Sequence, residues 1–427
     1  MDMVSIIIVV VNIIIALLFS LGAAPILVWI ERRVAGFIQD RLGPNRCNIA
    51  GIRLGGLIQS FADMLKLVFK EDYQAGSIKE KFIFSLAPVI VFVSAFLAFM
   101  VMPFADNLEI NSKTYIMQGL PVDLGVLWFL AFAGLSVYGI MLGGWSSNNK
   151  YSLLGGLRAG AQVISYEASM TLALISVLIT YGSVHLVDMV NFQGKLIFGF
   201  LPAWGILIQP LAAVIFIVTA FAEANRTPFD IAEGESEIVG GFHTEYSAMK
   251  FGLFFVGEYV AMSASSALIV TLFFGGYQIP WLNTISLKEH ISAVMIAIIV
   301  ILPVLSLFFA RWIKKNNVWP IENDIRNKES ALLIRVLIFI NIAVIGILGY
   351  FLAVGISGNG VNIAVAVIQI ATFAVKLLLM NFFFVWVRWT LPRFRYDQLQ
   401  ELGWRVLLPL SLANIFVTAT VIVFLGV

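Results

Sequence analysis

Ten long apolar segments constrain the fold of this chain more than any other feature of its sequence. A membrane-crossing helix needs about 20 predominantly apolar residues, and only structures that bond their own backbone can cross lipid. The chain is 60% hydrophobic and 12% charged, whereas soluble domains carry about 25% charged residues. We therefore predict an all-α polytopic transmembrane bundle. The predicted spans are 4–30, 82–104, 122–144, 160–181, 202–222, 248–274, 291–313, 332–354, 363–389 and 404–426.

Basic residues are concentrated in alternate connections between these spans. The connections after the first, third, fifth, seventh and ninth spans hold most of the lysines and arginines, and the others are nearly free of them. Because basic loops stay in the cytoplasm, both termini are predicted to lie outside it. The acidic connection 223–247 is then cytoplasmic.

Composition also excludes several classes of function. A net charge of +2 gives no general attraction to nucleic acid. One cysteine and three histidines, scattered along the sequence, predict no haem, iron–sulfur cluster or other metal site within the chain.

The first cytoplasmic connection contains an amphipathic segment, LGGLIQSFADMLKLVFK (54–70). Its apolar residues follow helical spacing, but it is too short and too charged to cross a membrane. It is predicted to lie in the plane of the membrane interface. The alternative is a helix packed on neighbouring protein, and either one could form a wall between cytoplasm and lipid.

Carboxylates are concentrated around the acidic connection: Glu223, Asp230, Glu233, Glu235, Glu237, Glu245 and Glu258. Acidic groups in or beside a bilayer are costly unless paired, hydrated or protonated. Neighbouring carboxylates also titrate as a coupled set. This pattern favours proton handling, and the alternative is a solvated loop that binds a basic partner.

Three further groups are candidates for the same chemistry. Glu167 lies well inside the fourth span, and Lys376 lies within the ninth, where it could pair with one of the acids. At the end of the first span, Glu31 could pair with Arg32 or Arg33. This segment either anchors the protein at the membrane or has a function of its own.

Four motifs, in order, resemble one known family. They are ERRVAGFIQDRLGPNR (31–46), GWSSNNKYSLLGGLRAGAQVISYE (144–167), EANRTPFDIAEGESEIVGGFHTEYSAMKF (223–251) and VRWTLPRFRYDQL (387–399). The chain resembles the H subunit of the bacterial proton-pumping NADH:quinone oxidoreductase, respiratory complex I.

The resemblance implies a membrane subunit that is inactive alone and that forms part of a quinone chamber. It implies that quinone is the substrate, with FMN and iron–sulfur clusters held by partner subunits and no cofactor held by this chain. The implied partners are the hydrophilic-arm subunits at the quinone site, small membrane subunits, antiporter-like subunits and the lipid bilayer. The implied location is the bacterial inner (plasma) membrane, with periplasmic termini.

Roles follow from the resemblance residue by residue. The implied quinone-chamber residues are Arg32, Arg41, Arg46, Asp63, Arg226, Asp230, Glu233, Glu235 and Glu237. The implied proton-path residues are Glu31, Glu167, Glu223, Glu245, Glu258 and Lys376.

The chain departs from the family pattern in having two additional spans. Typical members have eight, which predicts three regions: residues 1–275 with the chamber loops, an inserted helix pair in 276–362, and the last two family spans in 363–427. Two alternatives to the complex I assignment are the anchor subunit of a related membrane-bound hydrogenase and a free-standing cation-coupled transporter.

Overall fold

The computed structural model describes residues 3–49, 54–197, 199–316, 325–355 and 358–425. The helices are α1 (Met3–Ser20), α2 (Ala23–Ile38), α3 (Ile58–Phe69), α4 (Lys81–Phe99), α5 (Gly125–Ser146), α6 (Lys150–Tyr181), α7 (Leu186–Gln193), α8 (Gly205–Ile208), α9 (Pro210–Glu223), α10 (Glu235–Ile238), α11 (Ala248–Phe273), α12 (Thr284–Glu289), α13 (Ile291–Asn316), α14 (Ile325–Val354), α15 (Asn359–Thr390), α16 (Tyr396–Glu401) and α17 (Leu408–Leu425).

In the described part of the chain, strands are few and short. Antiparallel strands β1 (Leu108–Ile110) and β2 (Lys113–Tyr115) form one hairpin, and β3 (Leu196–Ile197) pairs with β4 (Leu201–Pro202) in another. The remaining short elements are 3-10 turns at Leu54–Gly56 and Gly241–His243 and a π-helical turn at Leu402–Leu407.

The predicted transmembrane bundle is confirmed. Among the described residues, nine helical stretches are long and apolar enough to cross a membrane. They are Met3–Ile38, Lys81–Phe99, Gly125–Ser146, Lys150–Tyr181, Ala248–Phe273, Ile291–Lys315, Ser330–Val354, Asn359–Thr390 and Tyr396–Phe424.

The predicted span 202–222 differs from the expectation. It consists of the four-residue α8 followed by α9, a helix of 14 residues, which is shorter than a full crossing requires. The break falls at Gln209, just before Pro210. Proline disfavours helical backbone in the residue before it and starts helices well at their first position.

Helix α11 occupies the centre of the bundle. It packs on α2, α3, α4, α9 and α15, and most of its residues are buried. Small residues allow the close approach of other helices: an added Cβ on Gly144 of α5 would lie 2.5 Å from the Ser152 carbonyl oxygen of α6. The large apolar core also includes residues of α6 and α9.

Helices α13 and α14 form the pair that was predicted as an insert. They pack on each other and are otherwise mostly exposed. Leu348 and Leu352 of α14 join a small apolar cluster with α12, α13 and α15. Towards its other end, α14 contacts the turn Leu54–Gly56, just before α3.

The close approach of α5 to α6 predicts the effect of enlarging Gly144. The variant Gly144→Val should lose ~1–3 kcal/mol of stability because overpacking forces the two helices apart. Its apparent unfolding temperature in detergent should fall. The matched control is Gly346→Val in α14, where an added Cβ meets no atom within 4 Å. An equal effect of both variants would contradict this account of the packing.

Candidate functional site

A buried carboxylate, Glu31 of α2, lies between two arginines and a tyrosine. Its Oε1 atom is 2.6 Å from an Nη atom of Arg388 in α15. Its Oε2 atom accepts a 2.8 Å hydrogen bond from the Tyr259 hydroxyl and is 3.4 Å from Arg226. This network joins α2, α11, α15 and the acidic connection, four segments that are distant in sequence.

The pairing of Glu31 corrects the sequence-based expectation. Glu31 was expected to pair with Arg32 or Arg33, its neighbours in sequence. Adjacent residues on a helix do not face each other, so their side chains point elsewhere. Arg32 pairs instead with Asp63 of α3, and Arg33 donates to the Gly55 carbonyl oxygen, 2.9 Å from its Nε atom.

Arg226 connects this network to the remaining acids. Its guanidinium lies 4.1 Å from the centre of the Tyr259 ring and interacts electrostatically with Glu31, Glu233 and Glu258. Its side chain is only 4% exposed. A buried cation of this kind needs the surrounding negative charge, because leaving it unpaired would cost several kcal/mol, roughly 3–5.

Glu233 lies beside Glu258, and the two carboxyl groups interact electrostatically. A hydrogen bond between two carboxyl groups requires one of them to hold a proton. His243 lies 3.7 Å from Glu233. Burial alone would raise the pKa of Glu233, but the hydrogen bond to Glu258, with His243 and Arg226 nearby, holds this pKa below its usual value. Two acids this close to each other favour holding one proton between them.

Asp230 lies in the same connection and is bound by Arg393, 2.8 Å from its Oδ2 atom. Its Oδ1 atom is buried and has no hydrogen-bond partner in the described part of the chain. Burial, with Glu233 nearby, raises the pKa of Asp230 to about 7 despite the opposing effect of Arg393. This carboxyl group can therefore gain and lose a proton near neutral pH.

Of the three alternating glutamates, Glu233 and Glu237 have different surroundings. Glu233 points inwards, whereas the side chain of Glu237 is 51% exposed and pairs with Arg158 of α6 at 2.7 Å. The side chain of Glu235 lies outside the described residues. The predicted coupling within the acidic segment therefore involves Glu233 with Asp230 and Glu258.

Glu167 and Glu223 form a second acidic site, within the bundle. Glu167 of α6 is half-buried beside Gly134 of α5. Glu223 is the last residue of α9 and interacts electrostatically with Glu167. The Oε2 atom of Glu223 is buried and lacks a hydrogen-bond partner in the described segments. These carboxyl groups are placed where a proton, water or a polar partner would stabilise them.

Glu245 and Lys376 lie apart from these clusters. Glu245 accepts a 2.7 Å hydrogen bond from Asn149, just before α6. The expectation that Lys376 pairs with an acid is wrong: its ammonium donates to the carbonyl oxygens of Phe274, Gly276 and Gln278, at 2.6–3.0 Å. Phe274 directly follows α11, and Gly276 and Gln278 lie in the connection after it. A cation is favourable beside the C-terminal end of a helix.

Arginines line a cavity of about 310 Å³ at the C-terminal end of α2. Its lining comprises Arg32, Arg41, Leu42, Gly43, Pro44, Asn45, Arg46 and Gln59. Three residues expected at the chamber, Arg32, Arg41 and Arg46, are thus brought together. In the part of the chain that the structure describes, no three His, Cys, Asp or Glu side chains are arranged to hold a metal ion.

Sequence reasoning missed four members of the site: Tyr259, His243, Arg388 and Arg393. Tyr259 directly follows Glu258. The two arginines lie in the motif 387–399, where the sequence alone indicates only basic residues of a cytoplasmic connection. Their recognition required the contacts between distant segments. The available signal was that buried acids need cationic partners from elsewhere in the chain.

Comparison with known proteins identifies the family. The family model described as NADH dehydrogenase matches residues 10–316 and 330–419. The H subunit of NADH-quinone oxidoreductase from Bdellovibrio bacteriovorus is 37% identical over 431 residues, covering 96% of this chain and 95% of that protein. This chain belongs to the family of NADH-quinone oxidoreductase H subunits.

Further relatives agree with this membership. The H subunit from Salinibacter ruber is 39% identical over 404 residues, covering 95% of this chain and 93% of that protein. NADH-quinone oxidoreductase subunit 8 of Rhodothermus marinus is 40% identical over 398 residues, covering 93% and 92%. Membership of this family favours a quinone enzyme over the hydrogenase-anchor and transporter alternatives.

Removing the carboxylate of Glu31 should destabilise the protein strongly. Glu31→Ala leaves Arg226 buried without its partner, which should cost ~3–5 kcal/mol. The matched control is Glu401→Ala, because Glu401 pairs with Arg405 on the surface, where both side chains are more than half exposed, and should cost at most ~1 kcal/mol. Apparent unfolding temperatures of the purified complex test the contrast. Similar losses in both variants would contradict it.

Asp230 should make stability fall as the pH rises. Its pKa is about 7 in the folded state, against an ordinary 3.8, so the folded state binds this proton more tightly. The resulting stabilisation is complete below about pH 4 and is lost as the pH rises to about 7. Asp230→Asn should therefore flatten the curve of unfolding temperature against pH in that window. An unchanged or steeper curve would refute the raised pKa.

Proposed function

We propose that this membrane subunit of NADH-quinone oxidoreductase helps form the quinone chamber and couples quinone reduction to proton translocation through buried carboxyl groups. The single observation that carries the proposal is the position of Arg226. Arg226 pairs with Glu31 and also interacts electrostatically with Glu233 and Glu258. A change of charge near Arg226 would thus alter the proton affinity of several acids at once.

In this proposal the acidic connection faces the quinone. Reduction of a quinone to a quinol takes up two electrons and two protons. If chamber side chains supply those protons, the side chains are left more negatively charged. Burial raises the pKa of Asp230 to about 7, and the Glu233–Glu258 pair would hold one proton between its two carboxyl groups. These groups would respond to the charge by releasing or binding protons.

The residues proposed for the chamber lie around the C-terminal end of α2, α3 and the acidic connection. They are Arg32, Arg41, Arg46, Asp63, Arg226, Asp230, Glu233, Glu235 and Glu237. The arginine-lined cavity supports the part assigned to Arg32, Arg41 and Arg46. The exposed pair of Glu237 with Arg158 supports a place at the edge of the chamber.

The proposed proton path leads from Glu31 and Glu258 to the site of Glu223 and Glu167. The electrostatic contact between Glu223 and Glu167 supports this continuation. Glu245 and Lys376 complete the proposed set. The ammonium group of Lys376 is bound by carbonyl groups just after the C-terminal end of α11. Its role in proton transfer would therefore be separate from that of the acids at the chamber.

The proposed setting is the bacterial inner (plasma) membrane, with both termini in the periplasm. The proposed partners are the hydrophilic-arm subunits at the quinone site, small membrane subunits and antiporter-like subunits, with FMN and iron–sulfur clusters held by partners. We further propose that residues 276–362 are an inserted unit between 1–275 and 363–427. The mutual packing of α13 and α14 supports this division.

Replacing Glu233 by glutamine tests the proposal. Glu233→Gln keeps the size of the side chain but removes its charge beside Arg226, so NADH:quinone activity and proton pumping should fall about tenfold or more. NADH oxidation by a soluble artificial acceptor should be unchanged. Glu289→Gln, on the exposed surface of α12, is the control. Full coupled activity of Glu233→Gln in the intact complex would contradict the role proposed for Glu233 in coupling.

A further inference from the structure

The turn Leu54–Gly56 is a corner at which several segments meet. Its Gly55 carbonyl oxygen accepts a 2.9 Å hydrogen bond from Trp29 Nε1 of α2 and is bound by Arg33 as well. At Gly56, an added Cβ would lie 2.0 Å from the Pro44 carbonyl oxygen. The turn is therefore fixed to α2 and to the loop that lines the arginine cavity.

Helix α14 of the additional pair reaches this same corner. It contacts the turn Leu54–Gly56, while its opposite end is held by Leu348 and Leu352 in the cluster with α15. The helix therefore connects the corner to the apolar cluster near the N-terminal end of α15. The corner brings α14 beside residues proposed for the quinone chamber.

The surfaces on either side of the corner are apolar and exposed. Helix α3 follows the turn and packs on α2 and α11. Its exposed apolar residues are Phe61, Met64, Leu65, Val68 and Phe69. Exposed apolar residues in the first half of α14 are Leu333, Val336, Ile338, Phe339 and Ile340. From Val336 to Val354 this helix carries no charge.

We propose that α14 forms the outer wall of the passage by which the isoprenoid tail of the quinone reaches the chamber, with α3 as its floor. The inference rests on the proposed function, because it takes the arginine-lined cavity to belong to the quinone chamber. An isoprenoid tail fits the place, since it is a long apolar chain attached to a polar head group. The head group would pass the arginine cavity while the tail contacts the apolar residues of α3 and α14.

A photoreactive quinone tests the proposal directly. A quinone with a diazirine near the end of its tail is bound to the intact complex in native membranes, illuminated, and located by peptide mass spectrometry. We expect labelling of residues 331–340 as well as of α3. An unlabelled quinone at ten times its dissociation constant should reduce both labels about tenfold.

The other outcomes separate this inference from the proposed function. Competed labelling of α2 or α3 without α14 overturns the passage and leaves the chamber intact. Labelling of α14 that unlabelled quinone does not reduce also overturns the passage, because the probe then reaches the helix from bulk lipid. No competed labelling anywhere on this chain overturns both.

A disulfide tests the contact at the corner independently of quinone binding. In a Cys47→Ser background, Leu54→Cys is combined with single cysteines at positions 331–338. A disulfide forms only where the Cα atoms are about 4.4–6.8 Å apart, so at least one pair should cross-link in the assembled complex. The control pairs Leu54→Cys with Ile347→Cys, towards the opposite end of α14, and should not cross-link. Failure at all of positions 331–338 overturns the proposed wall.

Discussion

The site depends on the burial of Glu31 between Arg226 and Arg388. Charges are expensive inside a low-dielectric bundle, and each one here is retained because opposite charge lies within a few ångströms. The partners come from α2, from α15 and from the acidic connection. Folding must therefore bring these segments together before any of the charges is stabilised. In this way the pairing of Glu31 fixes the position of Arg226.

The position of Arg226 in turn organises the acids. Arg226 lies on the ring of Tyr259 and acts on both Glu233 and Glu258. Glu258 directly precedes Tyr259 in α11, so one helix presents the tyrosine to Glu31 and the carboxyl group to Glu233. The geometry of a single helix thus connects the pairing network to the Glu233–Glu258 pair. Asp230, held by Arg393, extends the same group of acids.

Prediction from sequence succeeded for the elements and for the locations of the acids. The amphipathic segment 54–70 is confirmed as a helix, α3, and the acidic connection contains the site. Prediction was wrong where partners had to be chosen. Glu31 was paired with its neighbours and Lys376 with an acid, because sequence proximity and opposite charge were the only available guides. The carbonyl groups at the end of α11 that bind Lys376 have no signature in the sequence.

The sequence by itself determined a polytopic helical protein, because long apolar segments have no other stable arrangement in lipid. Its motifs also determined the family. Tertiary structure alone decided that Glu31 binds Arg226 and Arg388, that Glu233 turns inwards while Glu237 faces outwards, and that α14 reaches the turn at Leu54–Gly56. Hydropathy is a property of each segment, whereas pairing and contact depend on which segments pack together, and helices of similar apolar character do not specify their neighbours by composition.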